Sequence, residues 1–308
     1  MKRAVRRIAA WALCALALAL PRPAAPASDD GVLVLGRISD DPKSHYDQLK
    51  PLLDYVVARM ADVGVRSGRI LMAKDAQQMA SYLRRGRVDW VTETAGSAML
   101  LAHRADAKPL LLTEREGATR YHTVFFTRRE SDVRSLADLP GHAVAFQRPA
   151  STSAYFVPAA MLLDRGYRLE LLLSPTDPID AGAVGYLFAR SELNIATWVH
   201  KRLVDVGVMS NLDWENPRRV PPAFRRDLRI VARSEPYPRA LEMVRPNLDP
   251  KVEARLRQVL SEAHRDPEAR DALRRFFATS RFLPLDDSAR HELARVSAGV
   301  RRVREEVE

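Results

Sequence analysis

The sequence predicts an α/β protein of two lobes, each a sheet covered by helices. Three observations carry this. Between Gly31 and Glu93 the apolar patterning alternates in the order β-α-β-α-β, which implies a parallel sheet with helices on its faces. A second strand-led unit starts near Tyr121. The 308-residue chain, less a leader described below, leaves about 280 residues with no low-complexity linker and no internal repeat, a length that suits two lobes.

The first strand is "GVLVLGRI" (31–38), whose continuous apolar run marks it as buried on both faces. In "YDQLKPLLDYVVARMADVG" (46–64), Leu49, Leu52, Leu53, Val56, Val57, Met60 and Val63 recur at helical spacing and form one apolar face. Strand "RILMA" (69–73), helix "DAQQMASYLRRG" (75–86) and strand "VDWVTE" (88–93) follow. The second unit opens with strand "YHTVFFTR" (121–128) and a short helix, Pro-Gly turn and strand over 135–147. Helix "AYFVPAAMLLDRGY" tolerates Pro158 because the first turn leaves its N–H groups unpaired. Helix "NIATWVHKRL", strands "VDVGVMS" and "DLRIVARS", and a long helical end complete the chain.

Residues 1–27 have a basic start, an apolar stretch from Ile8 to Leu20 and small residues at Ala25 and Ala27, the design of a cleavable signal peptide. The apolar run, ended by Pro21, is too short to span a bilayer. Export to the periplasm follows, and the pair Arg6-Arg7 suits both the general and the twin-arginine route. The only cysteine, Cys14, lies in this leader, so the mature chain has no disulfide, thiol catalyst or cysteine metal site. Removing the leader's five basic residues leaves 44 basic against 39 acidic ones, a net charge of +5. The arginines are scattered and not interleaved with aromatics, which argues for a solvated surface and against nucleic acid as a partner.

The most pointed motif is "RPASTSAYFVPAAMLL" (148–163). One hydroxyl caps a helix; three in a row, Ser151, Thr152 and Ser153, suggest a cradle for an anion at the helix start. In open α/β sheets ligands bind beyond the carboxyl ends of strands, and the triplet follows such a strand. An enzyme would need other signals. No G-x-S-x-G elbow, H-E-x-x-H, P-loop or dinucleotide fingerprint occurs, and the seven histidines are dispersed. A hydrolase built on Ser151 or Ser153 would depend on the fold to bring His122 or His142 to it.

The succession "VDWVTETAGSAMLLA", "RYHTVFFTRRESDVRSLADLPGHAVAFQRPASTSAYFVPAAMLLDRGY" and "VDVGVMSNLDWE" resembles the phosphate, phosphite and phosphonate periplasmic binding proteins of ABC transporters, the PhnD-like family. The resemblance spans roughly Gly31 to Phe282. It implies a periplasmic binding protein type II fold whose lobes close on ligand about a hinge. Lobe 1 would comprise 28–119 and 231–308, lobe 2 would comprise 120–230, and "TRYHTVFF" and "IVARSEPYP" would be the crossing strands. It further implies delivery of ligand to an inner-membrane permease; the lack of heptads or a large apolar stripe predicts a monomer, and the missing motifs predict no cofactor, no metal and no catalytic residue. A sensing lobe that signals to a membrane partner is the alternative; neighbouring permease and ATPase genes would decide between them.

Carried over by residue, the resemblance places Ser151, Thr152 and Ser153 on the ligand's oxygens, Tyr121 at the crossing strand and Tyr155 on the aromatic-Pro helix. Other positions depart from the family pattern. Leu49 stands where an aromatic is usual, Glu93-Thr94 where Tyr-Gly is common, Ala154 for glycine and Glu192 for a histidine. Ser151, Thr152, Ser153, Tyr121, Glu93, Thr94, Glu192 and Tyr155 form the candidate ligand-binding set. Glu93 reads nearly equally as a solvated loop carboxylate or a hinge salt-bridge partner, and Glu192 as a solvated residue capping its helix. If both face the cleft, two carboxylates would oppose a bare anion; a zwitterion such as an aminophosphonate is favoured over a metal ion between carboxylate and ligand, which would recruit more histidine or acid at recognisable spacing. N-terminal sequencing of the exported protein is expected to start near Ser28; retention of residues 1–20 would overturn the reading of the leader.

Overall fold

The computed structural model describes residues 31–307. The predicted signal peptide, 1–27, lies outside the described residues. Lobe 1 begins with β1 (Val32–Ile38), α1 (Pro42–Val57), β2 (Ser67–Ala73), α2 (Ala76–Arg84), β3 (Trp90–Glu93), α3 (Ala95–Ala105) and β4 (Lys108–Arg115). A two-residue strand, β5 (Arg120–Tyr121), leads to the second lobe. That lobe holds β6 (Thr123–Arg128), β7 (Ala143–Phe146), α4 (Val157–Leu163), β8 (Arg168–Leu171), β9 (Ala183–Phe188), α5 (Glu192–His200), β10 (Val206–Ser210), α6 (Asn211–Glu215), α7 (Pro222–Asp227) and β11 (Leu228–Arg233). The chain returns through β12 (Tyr237–Pro238) to β13 (Leu241–Val244), α8 (Pro250–Glu262), α9 (Arg270–Arg275), β14 (Thr279–Leu283) and α10 (Asp287–Glu306).

Local chemistry moves some boundaries. The apolar pattern from Tyr46 marks the buried face of α1, but the helix starts at Pro42 because Asp41 caps it, accepting from the Ser44 N–H at 3.2 Å. Proline fits that first turn. The segment expected as one strand over 121–128 divides into β5 and β6, since His122 donates its N–H to the Asn211 side chain at 2.9 Å instead of to a strand.

Lobe 1 has the strand order β14-β4-β13-β3-β1-β2, and lobe 2 the order β11-β6-β10-β7-β9-β8. In lobe 1, β2 and β3 pair parallel with β1, and β13 runs antiparallel between β3 and β4. β14 is antiparallel to β4. The ends of β1, β3 and β4 therefore share one edge with the starts of β13 and β14. In lobe 2 the ends of β7, β9 and β10 share an edge with the start of the antiparallel β6. β5 and β12 pair antiparallel, Tyr121 opposite Tyr237, and these crossings bring the two edges together.

One hydrophobic core joins α2, α3, lobe 2 and α10, and a second fills the space between the lobe 1 sheet, α1, α8 and α9. Helix α10 lies across both lobes. Its Ser297 hydroxyl meets His103 of α3 at 2.8 Å, Arg302 pairs with Asp164 after α4 at 2.7 Å, and Glu292 accepts from Arg120 of β5 at 2.8 Å.

Gly207 of β10 sits where a side chain would collide: a Cβ there would lie 2.5 Å from Phe126 and 2.6 Å from Ile195, both fully buried. The absence of a side chain lets α5 settle on the sheet. Gly207→Ala is expected to lower unfolding stability by about 1–3 kcal/mol in denaturant titration, the usual cost of overpacking a core; an unchanged midpoint would contradict this packing.

Candidate functional site

The three hydroxyl residues after β7 perform three different tasks. Ser151 is the cap: its hydroxyl accepts from the Ala154 N–H at 3.2 Å. Thr152 is only 2% exposed and reaches the other lobe. Its oxygen accepts from the Gly96 N–H and donates to the Thr94 hydroxyl, each at 2.8 Å. Ser153 is half-buried, and its carbonyl accepts from the Thr123 hydroxyl at 2.8 Å. That hydroxyl also bonds Tyr237, so the triplet is anchored to both crossings. Over Thr152–Phe156 the chain makes a wide helical turn, with Ala154 off helical geometry, before α4 begins.

Tyr121 borders this turn. It packs edge-on to Tyr237 with ring centres 4.8 Å apart, and the Arg239 guanidinium lies 4.9 Å from its ring centre. Burial raises the pKa of its hydroxyl, an effect that Arg239 and the Thr152 and Ser153 hydroxyls oppose.

Along the lobe 1 edge, Glu93 is buried and accepts from the Ile38 N–H at 2.8 Å, with Arg37 at 3.6 Å. Arg37 also donates to the Thr92 carbonyl at 2.8 Å. Arg115, 3% exposed, donates to the Thr92 hydroxyl at 2.6 Å. Burial, with Arg37 beside it, pushes the Arg115 pKa down to about 9. Both guanidiniums lie against Phe277, at 4.6 Å for Arg37 and 4.5 Å for Arg115. Arg37, Arg115 and Arg239 each keep a buried Nε–H without a partner.

On the lobe 2 edge, Glu192 opens α5 just after its cap, Ser191. It accepts from Gln147 Nε2 at 2.5 Å and faces Arg219 at 3.7 Å. Burial first, then nearby Asp213, raises its pKa. Arg148 pairs with Asp40 of lobe 1, a second tie across the lobes.

Two sheets joined by paired crossings, with hydroxyls and guanidiniums gathered at the facing edges, agree with a sequence comparison. A family model described as ABC transporter, phosphonate, periplasmic substrate-binding protein matches residues 36–289. The chain belongs to this family. Its fold is that of the type II periplasmic binding proteins, and its class is ligand binding for an ABC transporter. XAC2383 from Xanthomonas citri, solved with chloride ion, is 58% identical over 90% of this chain and 100% of that one, with TM-score 0.87. The same protein bound to ATP aligns at 57% identity over 91% and 100% of the two chains, TM-score 0.86. PhnD1 from Prochlorococcus marinus, in complex with methylphosphonate, shares the fold at 15% identity over 89% and 99%, TM-score 0.62.

Within this phosphonate-binding family member, Ser151, Thr152, Ser153, Tyr121 and Thr94 come together at the lobe junction. Glu93 lies on the lobe 1 edge, engaged by Arg37 and the β1 backbone, and Glu192 lies on the lobe 2 edge, engaged by Gln147 and Arg219. Each carboxylate thus holds one short hydrogen bond, from the Ile38 N–H for Glu93 and from Gln147 for Glu192, with a guanidinium standing farther off. Tyr155 lies elsewhere: it is 1% exposed in an aromatic cluster with Phe146, Phe156, Tyr186 and Phe188, so it packs lobe 2 instead of facing a ligand. Sequence reasoning missed Arg37, Arg115, Arg239 and Phe277. The available signal was an arginine at or beside the carboxyl end of an apolar strand, as in "LVLGRI" and "LLLTER".

The raised Glu192 carboxyl binds its proton more tightly when folded, so its contribution to stability falls as pH rises from the ordinary carboxylate range through the folded pKa. Glu192→Gln is therefore expected to raise the melting temperature relative to wild type at pH 8 and to lose that advantage near pH 4. An equal effect at both pH values would contradict the buried, Asp213-opposed carboxylate.

Proposed function

We propose that this protein captures a small phosphoryl- or phosphono-bearing anion between its lobes and delivers it to an ABC permease in the inner membrane. The observation that carries this reading is the position of the Ser151–Ser153 turn: it sits on the lobe 2 edge, bonds lobe 1 through Thr152 and rests on both crossings through Thr123 and Tyr237. An anion held there by Ser151, Ser153 and Tyr121 touches every part of the molecule that moves when the lobes close. Thr152 and Thr94 act as the latch between lobes. Glu93 fixes Arg37, and Glu192 borders the opposite wall. XAC2383, more than half identical in sequence, was solved with two different anions, chloride and ATP, which supports an anion site.

On this reading the protein binds and releases its ligand unchanged and is not an enzyme. It is exported with residues 1–27 removed and acts as a monomer.

The test is calorimetry of the mature chain with inorganic phosphate and methylphosphonate. Ser153→Ala is expected to weaken binding by about ten-fold or more, the effect of losing a hydrogen bond to a charged group. Unaltered affinity would move the site away from the triplet.

A further inference from the structure

We propose that Arg37, Arg115 and Arg239 form a second anion subsite on the lobe 1 edge, so that the cleft selects ligands carrying two linked phosphoryl groups over those carrying one. The proposal rests on the reading of the triplet as the first anion site.

Sheet topology makes the cluster. Arg37 lies at the end of β1, Arg115 at the end of β4 and Arg239 just before β13, positions far apart in sequence that the strand order puts on one edge. Continuity with the triplet runs through Tyr121, which borders Thr152 and Ser153 and carries the Arg239 guanidinium against its ring. Phe277 backs the guanidiniums of both Arg37 and Arg115.

The hydrogen bonding is incomplete in a consistent way. Arg37 and Arg115 each spend an Nη on Thr92, one on its carbonyl and one on its hydroxyl. The Nε–H groups of all three arginines are buried and unpartnered, and Arg115 itself is 3% exposed. A buried donor without an acceptor is costly, and three on one edge are not an ordinary outcome of folding. The neighbouring carboxylates do not fill the need. Glu93 stands 3.6 Å from Arg37 Nη1 and Glu116 stands 3.8 Å from Arg239 Nη2, both beyond hydrogen-bond distance, while Glu242, a nearby countercharge for Arg115, spends its hydrogen bonds on Trp90, Thr92 and Thr113. Phosphoryl oxygens match the planar donor fork of a guanidinium and accept from Nε and Nη together. A single phosphoryl group held at the triplet leaves these donors unused; a second one, linked to the first, supplies their acceptors.

Calorimetry at pH 7.5 and fixed ionic strength, with inorganic phosphate and inorganic diphosphate as probes, tests the proposal. The wild-type mature chain is expected to bind diphosphate at least about ten-fold more tightly than phosphate, and Arg37→Gln and Arg239→Gln are each expected to reduce that ratio by about ten-fold. Arg168→Gln, which removes a remote exposed charge from lobe 2, controls for a general loss of positive potential and is expected to keep the wild-type ratio. Equal wild-type affinities, an unchanged ratio in both cleft variants, or the same fall in Arg168→Gln would overturn the subsite. If phosphate binds and Ser153→Ala weakens it without any diphosphate preference, the triplet reading stands and the arginine subsite fails. If neither probe nor methylphosphonate binds, both fail together.

Discussion

A carboxylate with no access to water organises lobe 1. Glu242 sits on β13, the strand by which the chain re-enters the lobe after its second crossing, and it is fully buried. Its oxygens accept from Trp90 Nε1 at 2.6 Å, the Thr92 hydroxyl at 2.8 Å and the Thr113 hydroxyl at 2.7 Å. These donors come from β3 and β4, so one side chain fastens the returning strand to both neighbours. Burial pushes its pKa up, while Arg115 and the three donors hold it down. An unpaired charge at this depth would cost several kcal/mol, and the strands are confined to the register that prevents it. Thr92 then passes the constraint to the cleft, since its hydroxyl also accepts from Arg115.

The two lobes present different chemistry at their facing edges. Lobe 2 offers hydroxyls on a turn whose geometry is set by its own cap, and lobe 1 offers guanidiniums set by a sheet edge. The crossings carry aromatic residues, Tyr121 and Tyr237, between the two sets. Rigid strands hold the arginines and a wide turn holds the hydroxyls. Opening the cleft would break the contacts of Thr94 and Gly96 with Thr152 and the Arg148–Asp40 and Ser97–Ala150 contacts between the lobes.

The alternation of strands and helices was legible in the sequence because apolar spacing records which faces are buried. The strands around 31–38, 69–73 and 88–93 and the helix after the triplet all have counterparts in the structure. The hydroxyl triplet was legible as a local motif. The division of labour within it was not, because the partners of Thr152 lie 56 and 58 residues away. The arginine edge was illegible for the same reason: Arg37, Arg115 and Arg239 look like members of a scattered basic surface until sheet order assembles them. Tyr155 misled because an aromatic beside a binding motif reads the same whether its ring turns to the cleft or to the core. Whether Glu93 and Glu192 face the cleft was not legible, because their neighbours Arg37, Gln147 and Arg219 come from distant segments.

Helix α10 gives the molecule a property that no cleft residue supplies. It is bonded to α3 of one lobe, to the end of α4 in the other and to β5 between them, and its Gly299 packs so closely on Ala160 that a Cβ would lie 2.9 Å away. Any rotation that parts the lobes must slide or strain these contacts. On a hinged closure the helix would work as a spring in parallel with the hinge, and the free energy of ligand capture would include its deflection as well as the bonds made to the ligand. Apparent affinity scales with the population of the binding-competent state. Residues at the α10 seam would thus help set the ligand concentration at which the transporter is supplied, without touching the ligand.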